Sequence, residues 1–377
     1  MKKQIKSIMV LFCVLSLMIS GCDGKKEAVV KEEKPRVELE LPSFETKEEE
    51  PKEETISITI SATGDVTMGN YIGQGYAGSF DQTYEKKQDF GYFFQNVRDI
   101  FAEDDMTIVN LEGVLTTSEN AAPGRDFSIK GDPAYVNILP KGNVDVVSME
   151  NNHRRDFGEQ GTADTVAALN SVNIPYAYEE NLGYYETKGI TIGWVAVNHA
   201  SFGSSVESLL KNGIKRLKEE GVDLILACCH WGIERTNYPT DAQRDLGKKC
   251  IKWGADLVIG HHPHVIQGFE KYQGKYIVYS LGNFCFAANK NPDDKDSMIF
   301  QQTFTFTKRE NEDGSVTTEL TDYGKAKAIP CSISSVTGRN DFCPTPLMGE
   351  NAKRVIKRLN KYSNDYGVTV DENGILN

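Results

Sequence analysis

Histidine is scarce in this chain, with six in 377 residues, and every one of them lies between His153 and His264. Imidazoles used as general surface polar groups would be spread along the whole length, so this confinement points to a shared task. Positive charge is also in short supply: the formal net charge is −12. A surface that acidic excludes non-specific nucleic-acid binding, which needs clustered lysine and arginine. No apolar run is long enough to span a bilayer, which excludes a polytopic membrane protein. The eight cysteines do not form a disulfide framework at sight. Cys13 and Cys22 fall in the leader. Cys228 and Cys229 are adjacent in a strand-like run and read as small buried hydrophobes. Cys331 and Cys343 bracket a loop, and spacing leaves a bridge between them open. Internal repeats are absent as well.

What is present begins with an address. Lys2, Lys3 and Lys6 precede a short apolar core, Ile8 to Ile19, which has the pattern of an export signal rather than a membrane span. Ile19-Ser20-Gly21-Cys22 resembles the lipobox of bacterial lipoproteins, whose cysteine becomes the lipidated first residue. The expected organisation is a signal peptide over 1–21, then a charged, Glu/Lys-rich disordered stalk over 22–54. A globular domain over 55–345 and a helical tail over 346–377 follow. Together these place the domain on the outer face of the membrane, held by lipid at Cys22.

Along the domain, apolar strand-like runs alternate with helical stretches: strands at 56–60, 106–111, 144–149, 190–197 and 224–229, and helices at 90–103, 159–170, 206–220 and 241–253, the last with Asp241 as its N-cap. That alternation predicts an α/β layered fold with mostly parallel strands. Beyond Tyr272 the pattern turns hairpin-like, which predicts a second, antiparallel sheet beside the first.

The stretch Leu257 to His264, Leu-Val-Ile-Gly-His-His-Pro-His, is a buried strand that breaks into three imidazoles. His262 and His264 are two apart, so an extended backbone would aim both rings to one side. The other strands also end in residues able to bind metal: Asp65, Glu112 with Asn110, Asn152-His153, and His230. Ligands in α/β sheets bind beyond the carboxyl ends of strands, so these tips are candidates for a single cleft. Oxygen and nitrogen donors without thiolate favour Mn²⁺, Fe or Zn²⁺ over Ca²⁺.

These residues carry a resemblance. Gly64-Asp65, Asn110-Leu111-Glu112-Gly113, Asn151-Asn152-His153 with Asp156 and Gly158, His230-Trp231-Gly232 with Glu234, Gly260-x-His262-Pro263-His264 and Gly282-Asn283-Phe284 resemble the motif series of the CapA family. These are capsule and poly-γ-glutamate synthesis proteins related to calcineurin-like metallophosphoesterases. The resemblance implies a four-layer αββα sandwich with a dinuclear divalent-metal cleft. Its metal ligands would be Asp65, Glu112, Asn152, His230, His262 and His264. His153 would act as the cleft acid, while Glu234 and Asn283 would shape the site. Two departures stand out from metallophosphoesterases that begin Asp-x-His: Thr67 occupies that third position, and Asn-Leu-Glu replaces their Gly-Asp-x-x-Asp. CapA proteins share both. Arg154 and Arg155 follow His153 and are candidates for gripping carboxylate or phosphate. His199 fits no strand tip and reads as structural.

The expected role is synthesis or export of poly-γ-glutamate, with the polymer and membrane synthase subunits as partners and no nucleic acid. Two alternatives stand beside it: a secreted metal-dependent phosphodiesterase or phosphatase acting on another phosphoester, and a non-catalytic lipoprotein that binds an anionic polymer.

Overall fold

Apolar residues along Leu224–His230 divide between two cores: Leu224, Leu226 and Cys228 enter one, and Ile225, Ala227 and Cys229 enter another. A strand apolar on both faces must be covered on both. The structure, a computed structural model describing residues 53–125 and 127–377, shows what covers it. Helices Glu207–Glu219 and Asp241–Trp253 pack on the outer face through Leu210, Ile214, Leu217, Leu246 and Cys250. The inner face meets a second sheet, whose Ile58, Ile60, Met106, Ile108 and Val146 share its core. That sheet is covered in turn by Gly158–Ser171 and the short helical segments around Phe93, Phe94 and Phe101. The order of layers is therefore helix, sheet, sheet, helix, the αββα arrangement expected from the resemblance. The signal segment, Cys22 and nearly all of the expected stalk lie outside the described residues, among which no helix is long and apolar enough to cross a membrane.

One sheet runs Ala326–Ser332, Asp296–Glu310, Glu53–Thr67, Met106–Leu111, Val146–Ser148, Tyr176–Ala177. The other runs Phe269–Tyr272, Lys275–Val278, Leu257–His261, Leu224–His230, Ile190–Asn198, Gly183–Thr187. Each is mixed. The separate antiparallel sheet expected after Tyr272 does not form: Asp296–Glu310 pairs antiparallel with Glu53–Thr67 over ten register positions, and Lys275–Val278 pairs parallel with Leu257–His261. Both faces of the two parallel cores already had a partner layer, so the late strands extend existing sheets. The sheets are also tied by a hydrogen bond, from the Trp194 indole N–H in one to the Val147 carbonyl in the other at 3.2 Å.

Two local expectations change. The 90–103 stretch splits into a 3₁₀ turn, Phe90–Phe94, and a short helix, Arg98–Ala102. Tyr92, Phe93 and Phe94 are all buried, and an α-helix would send three consecutive side chains to different faces. The N-cap of Asp241–Trp253 is Thr240, not Asp241. Thr240 accepts from the Gln243 N–H, and the Gln243 side chain accepts from the Thr240 N–H, a reciprocal cap that leaves Asp241 to complement the helix dipole. At the end of the chain, helix Gly349–Ser363 adds Val355 and Leu359 to the inter-sheet core, and Arg358 pairs with Asp294 at 2.6 Å.

A repeated device aligns the parallel strands at their N-terminal ends. Asp105, Asp145, Asp223 and Asp256 each immediately precede a strand, and each carboxylate accepts the backbone N–H of the strand beside it. The acceptors meet Thr59 at 2.9 Å, Thr107 at 2.7 Å, Thr191 at 2.8 Å and Ile225 at 2.9 Å. A charged acceptor makes a stronger bond than a carbonyl, so each fixes the register of its neighbour. All four lie at the opposite end of the strands from the histidines.

Candidate metal centre

Strand parity decides which tip residues face one another. Asn110 continues the inward set Met106, Ile108, and His230 continues Leu224, Leu226, Cys228, so the two tips meet between the sheets, with the Asn110 amide 3.4 Å from His230 Nδ1. The same amide donates to Asp65 Oδ1 at 2.8 Å. Asp65 reaches this point because Gly64 runs against the Gly282 carbonyl, where a Cβ would come within 2.0 Å, and the Asp65 N–H donates to that carbonyl at 2.9 Å. Gly260 has the same reason: a Cβ there would meet the Tyr279 carbonyl at 2.1 Å.

Two groups of donors result. Around His230 Nε2 stand Asn152 Oδ1 at 2.6 Å, His262 Nδ1 at 3.1 Å and Glu112 Oε1 at 3.7 Å. Around His264, Nδ1 lies 3.2 Å from Asp65 Oδ2 and Nε2 lies 3.7 Å from Glu112 Oε1. Asn283 clamps His264 from behind, accepting at Nδ1 at 2.9 Å and donating to its carbonyl at 3.1 Å. Glu234, exposed on the loop after His230, brings a carboxylate within 4.8 Å of His262 and His264 ligand atoms. His262 and His264 adopt φ of 96° and 58°, a costly backbone for a side-chain-bearing residue and one that clusters at functional sites.

The donor set fits a divalent cation. Both oxygens of Glu112 are buried and make no hydrogen bond to a described residue, although an unpartnered buried carboxylate is among the costliest groups a fold can hold. Atoms bound about 2.0–2.2 Å from one ion stand about 3–3.5 Å apart, close to the observed spacings. The electrostatics agree. Burial pushes Glu112 up to about 7, only partly offset by His264. Burial acts to lower His264, yet Glu112 and Asp65 outweigh it and hold the ring up to about 10, so the metal-free cluster keeps a proton where positive charge is wanted. Asp65 would be raised by burial, but the His264 hydrogen bond and charge hold it well below the usual range. Burial and the neighbouring His262 depress His230, and burial with His264 lowers His262 to about 4. Both rings therefore stay neutral, the form that binds metal.

His153 stands one step outside. Its Nε2 is 3.9 Å from Glu112 Oε1 and its Nδ1 is 2.7 Å from Asp156 Oδ2. Asp156 is itself fixed by the Ile129 N–H at 2.7 Å. Burial would lower His153, but the bond to Asp156 raises it. This pairing went unread in the sequence; the i,i+3 spacing of His153 and Asp156 is the signal that could have shown it. Arg154 is buried: its Nε pairs with Glu150 at 2.7 Å and its Nη2 bonds Glu179 at 2.5 Å. Arg155 pairs with Glu179 at 2.7 Å and Glu159 at 3.4 Å. Both guanidiniums are thus engaged by protein carboxylates. Thr67, where related enzymes place a histidine, accepts the backbone N–H groups of Ala287 and Ala288 and holds the segment after Asn283. His261, not counted among the ligands, donates from Nε2 to the Thr63 carbonyl at 2.9 Å, bracing the turn into Asp65. His199 opens a short helix and makes no hydrogen bond to the cluster. Cys331 and Cys343 are both free and buried. Sequence reasoning missed Arg125, whose Nη1 donates to the Asn152 carbonyl at 2.6 Å.

A family model described as bacterial capsule synthesis protein PGA_cap matches residues 59–288, a span that contains every residue of the cluster. The chain is similar to the PGA biosynthesis protein CapA of Bacillus subtilis (strain 168), with 28% identity over 84% of this chain and 82% of that one. It is also similar to the capsule biosynthesis protein CapA of Bacillus anthracis, at 26% identity over 62% and 61% of the two chains. A probable polyglutamine synthesis accessory protein of Mycobacterium tuberculosis matches at 27% over 48% and 55%.

Proposed function

The chain belongs to the bacterial capsule synthesis protein family PGA_cap, and from that premise we propose that it is a lipid-anchored accessory protein of poly-γ-glutamate synthesis or export. Its work is done at a metal cleft on the outer face of the membrane. The relatives' names support the polymer, and Ile19-Ser20-Gly21-Cys22 supports the anchor. The observation that carries the cleft is Glu112: a fully buried carboxylate with no hydrogen-bond donor among the described residues, 3.7–3.9 Å from the ring nitrogens of His230, His264 and His153.

In this reading Asp65, Glu112 and His264 would hold one divalent ion. Asn152, His230 and His262 would hold a second, with the Glu112 carboxylate within reach of both groups. Bound ions of this kind polarise a carbonyl or phosphoryl oxygen and acidify water. The remaining work falls to the chain. Asp156 fixes His153 so that Nε2 faces the cleft, and His153 delivers a proton from that atom to a departing oxygen or nitrogen. Asn283 holds His264 in its strained conformation through two hydrogen bonds, and Glu234 adds a carboxylate beside the His262 and His264 rings. The His153–Asp156 pair favours chemistry over passive binding, since a binder has no use for an oriented acid.

The test is elemental analysis of the purified protein together with His153→Ala. The variant should keep its metal and fail to restore polymer yield in a deletion strain, because loss of a general acid costs about a hundred- to ten-thousandfold in rate. Full complementation would remove the catalytic part of the proposal, and a metal-free wild-type protein would remove the cleft.

A further inference from the structure

Arg154 and Arg155 are held by Glu150, Glu159 and Glu179, so the cleft's anion-binding group must be sought elsewhere. Arg125 lies on the segment between strands Val114–Leu115 and Ile129–Gly131. One of its five N–H donors is spent on the Asn152 carbonyl at 2.6 Å, with Asp156 Oδ1 at 3.7 Å from the same nitrogen. Its Nε and Nη2 make no hydrogen bond to a described residue, and 34% of the side chain is open to solvent. An arginine tethered by one nitrogen and unsaturated at the others is a pre-oriented receptor for a carboxylate or phosphoryl group.

Apolar surface accompanies it. Phe127, on the same segment, is 59% exposed, its ring set edge-to-face on Tyr71 at 5.4 Å. Ile233, also 59% exposed, lies on the loop that carries Glu234 to the ligand atoms of His262 and His264. Phe127 stands two residues from Arg125, which reaches the Asn152 carbonyl, and Ile233 is next to Glu234, which reaches His262 and His264, so each exposed apolar side chain sits on a segment that touches the cluster. The chain's net charge of −12 repels any polyanion at long range, so attraction has to be local, within about 8–10 Å at physiological salt.

We propose that Arg125, Phe127 and Ile233 form the polymer-holding rim of the cleft, taking a chain that alternates carboxylates with methylene spacers. Arg125 receives a carboxylate next to the metal ligand Asn152, and the two apolar side chains cover the adjoining methylenes. A γ-linked glutamate chain has this pattern: each residue hangs an α-carboxylate from the backbone and places methylenes in the backbone before the next. The inference rests on reading the cleft as the polymer's site.

The experiment uses the full chain in detergent, loaded with Mn²⁺, and a fluorescent γ-linked decaglutamate followed by anisotropy, with bound metal measured on every sample. Arg125→Ala should weaken binding about ten- to a hundredfold, the range for a hydrogen-bonded charged group, at unchanged metal content. Arg125→Lys should recover only part of it. Wild-type affinity in Arg125→Ala would overturn the rim while leaving the metal cleft standing. A wild-type protein that holds metal but ignores the oligomer would overturn the rim and the polymer together, and one without metal would overturn the cleft. Should Arg125→Ala lose metal or fail to fold, the double variant Phe127→Ser, Ile233→Ser decides, since neither residue touches a ligand. It should bind several-fold more weakly, and unchanged affinity would overturn the proposal.

Discussion

Replacing Glu112 by glutamine should move stability in opposite directions with and without metal. In the metal-free chain, burial raises the Glu112 carboxyl from 4.5 to about 7. A carboxyl whose folded pKa exceeds its unfolded one stabilises the fold fully below pH 4.5 and loses that contribution as pH rises through 7. Above that window the ionised group costs about 3 kcal/mol relative to the unfolded chain, because neither oxygen has a donor among the described residues. Glu112→Gln has the same shape and no charge to bury. After chelation at pH 8 the variant should therefore melt several degrees above the wild type, and the two should converge near pH 4.5. Metal reverses the order. A ligand at a hundred times its Kd adds about 2.7 kcal/mol to the wild type, while the variant has lost the anion that would face the metal in the proposed cleft. Thermal melts at pH 4.5, 6 and 8, with chelator and with Mn²⁺ or Zn²⁺, read both arms. Equal melting of the two proteins at every pH, with equal shifts on adding metal, would refute the assignment of Glu112 as a ligand.

Two further outcomes test the anchor and the scaffold. If Cys22 carries the proposed lipid, Cys22→Ala should shift the protein from the membrane to the soluble fraction, because the hydrophobic attachment is lost; fractionation with immunodetection checks this. Asp256→Ala removes the acceptor for the Ile225 N–H at 2.9 Å, the Tyr323 hydroxyl at 2.7 Å and Lys275 at 2.8 Å. It should cost about 2–4 kcal/mol in denaturant unfolding while metal content per folded molecule stays the same.

The strands and their tips were legible because the signals are local. An apolar run followed by Asp, Asn or His marks both a buried strand and the place where it leaves the core. The extended backbone expected at His262 and His264 does not form: both adopt positive φ beyond the end of the strand, and the turn rather than period-two parity sets their rings. The division of the strands between two sheets was not legible. Whether Asp296–Glu310 joins an old sheet or starts a new one depends on which edge is open when it arrives, a fact about three-dimensional neighbours. Arg125 escaped notice for the same reason: 27 residues separate it from the Asn152 carbonyl it binds. Arg154 and Arg155 looked available because their carboxylate partners, Glu150 apart, lie at Glu159 and Glu179 and belong to no motif. The four aspartates before the strands were in plain view, as Asp-Met, Asp-Val and twice Asp-Leu at the entry to an apolar run. Their regularity carries meaning only once the neighbouring N–H groups are placed beside them.

Those aspartates also bear on how readily the cleft can be altered. Since strand alignment is enforced at the rim far from the histidines, a tip residue can be exchanged without unsettling the order of strands behind it. The tips then behave as an editable set on a fixed frame, coupled to one another through hydrogen bonds but not to the register of the strands. Different donor combinations can be tried there, by natural drift or at the bench, at little risk to folding. A histidine restored at Thr67 would be a poor first edit, because that hydroxyl holds the Ala287–Ala288 backbone. Asn152 and Glu234 are better places to begin.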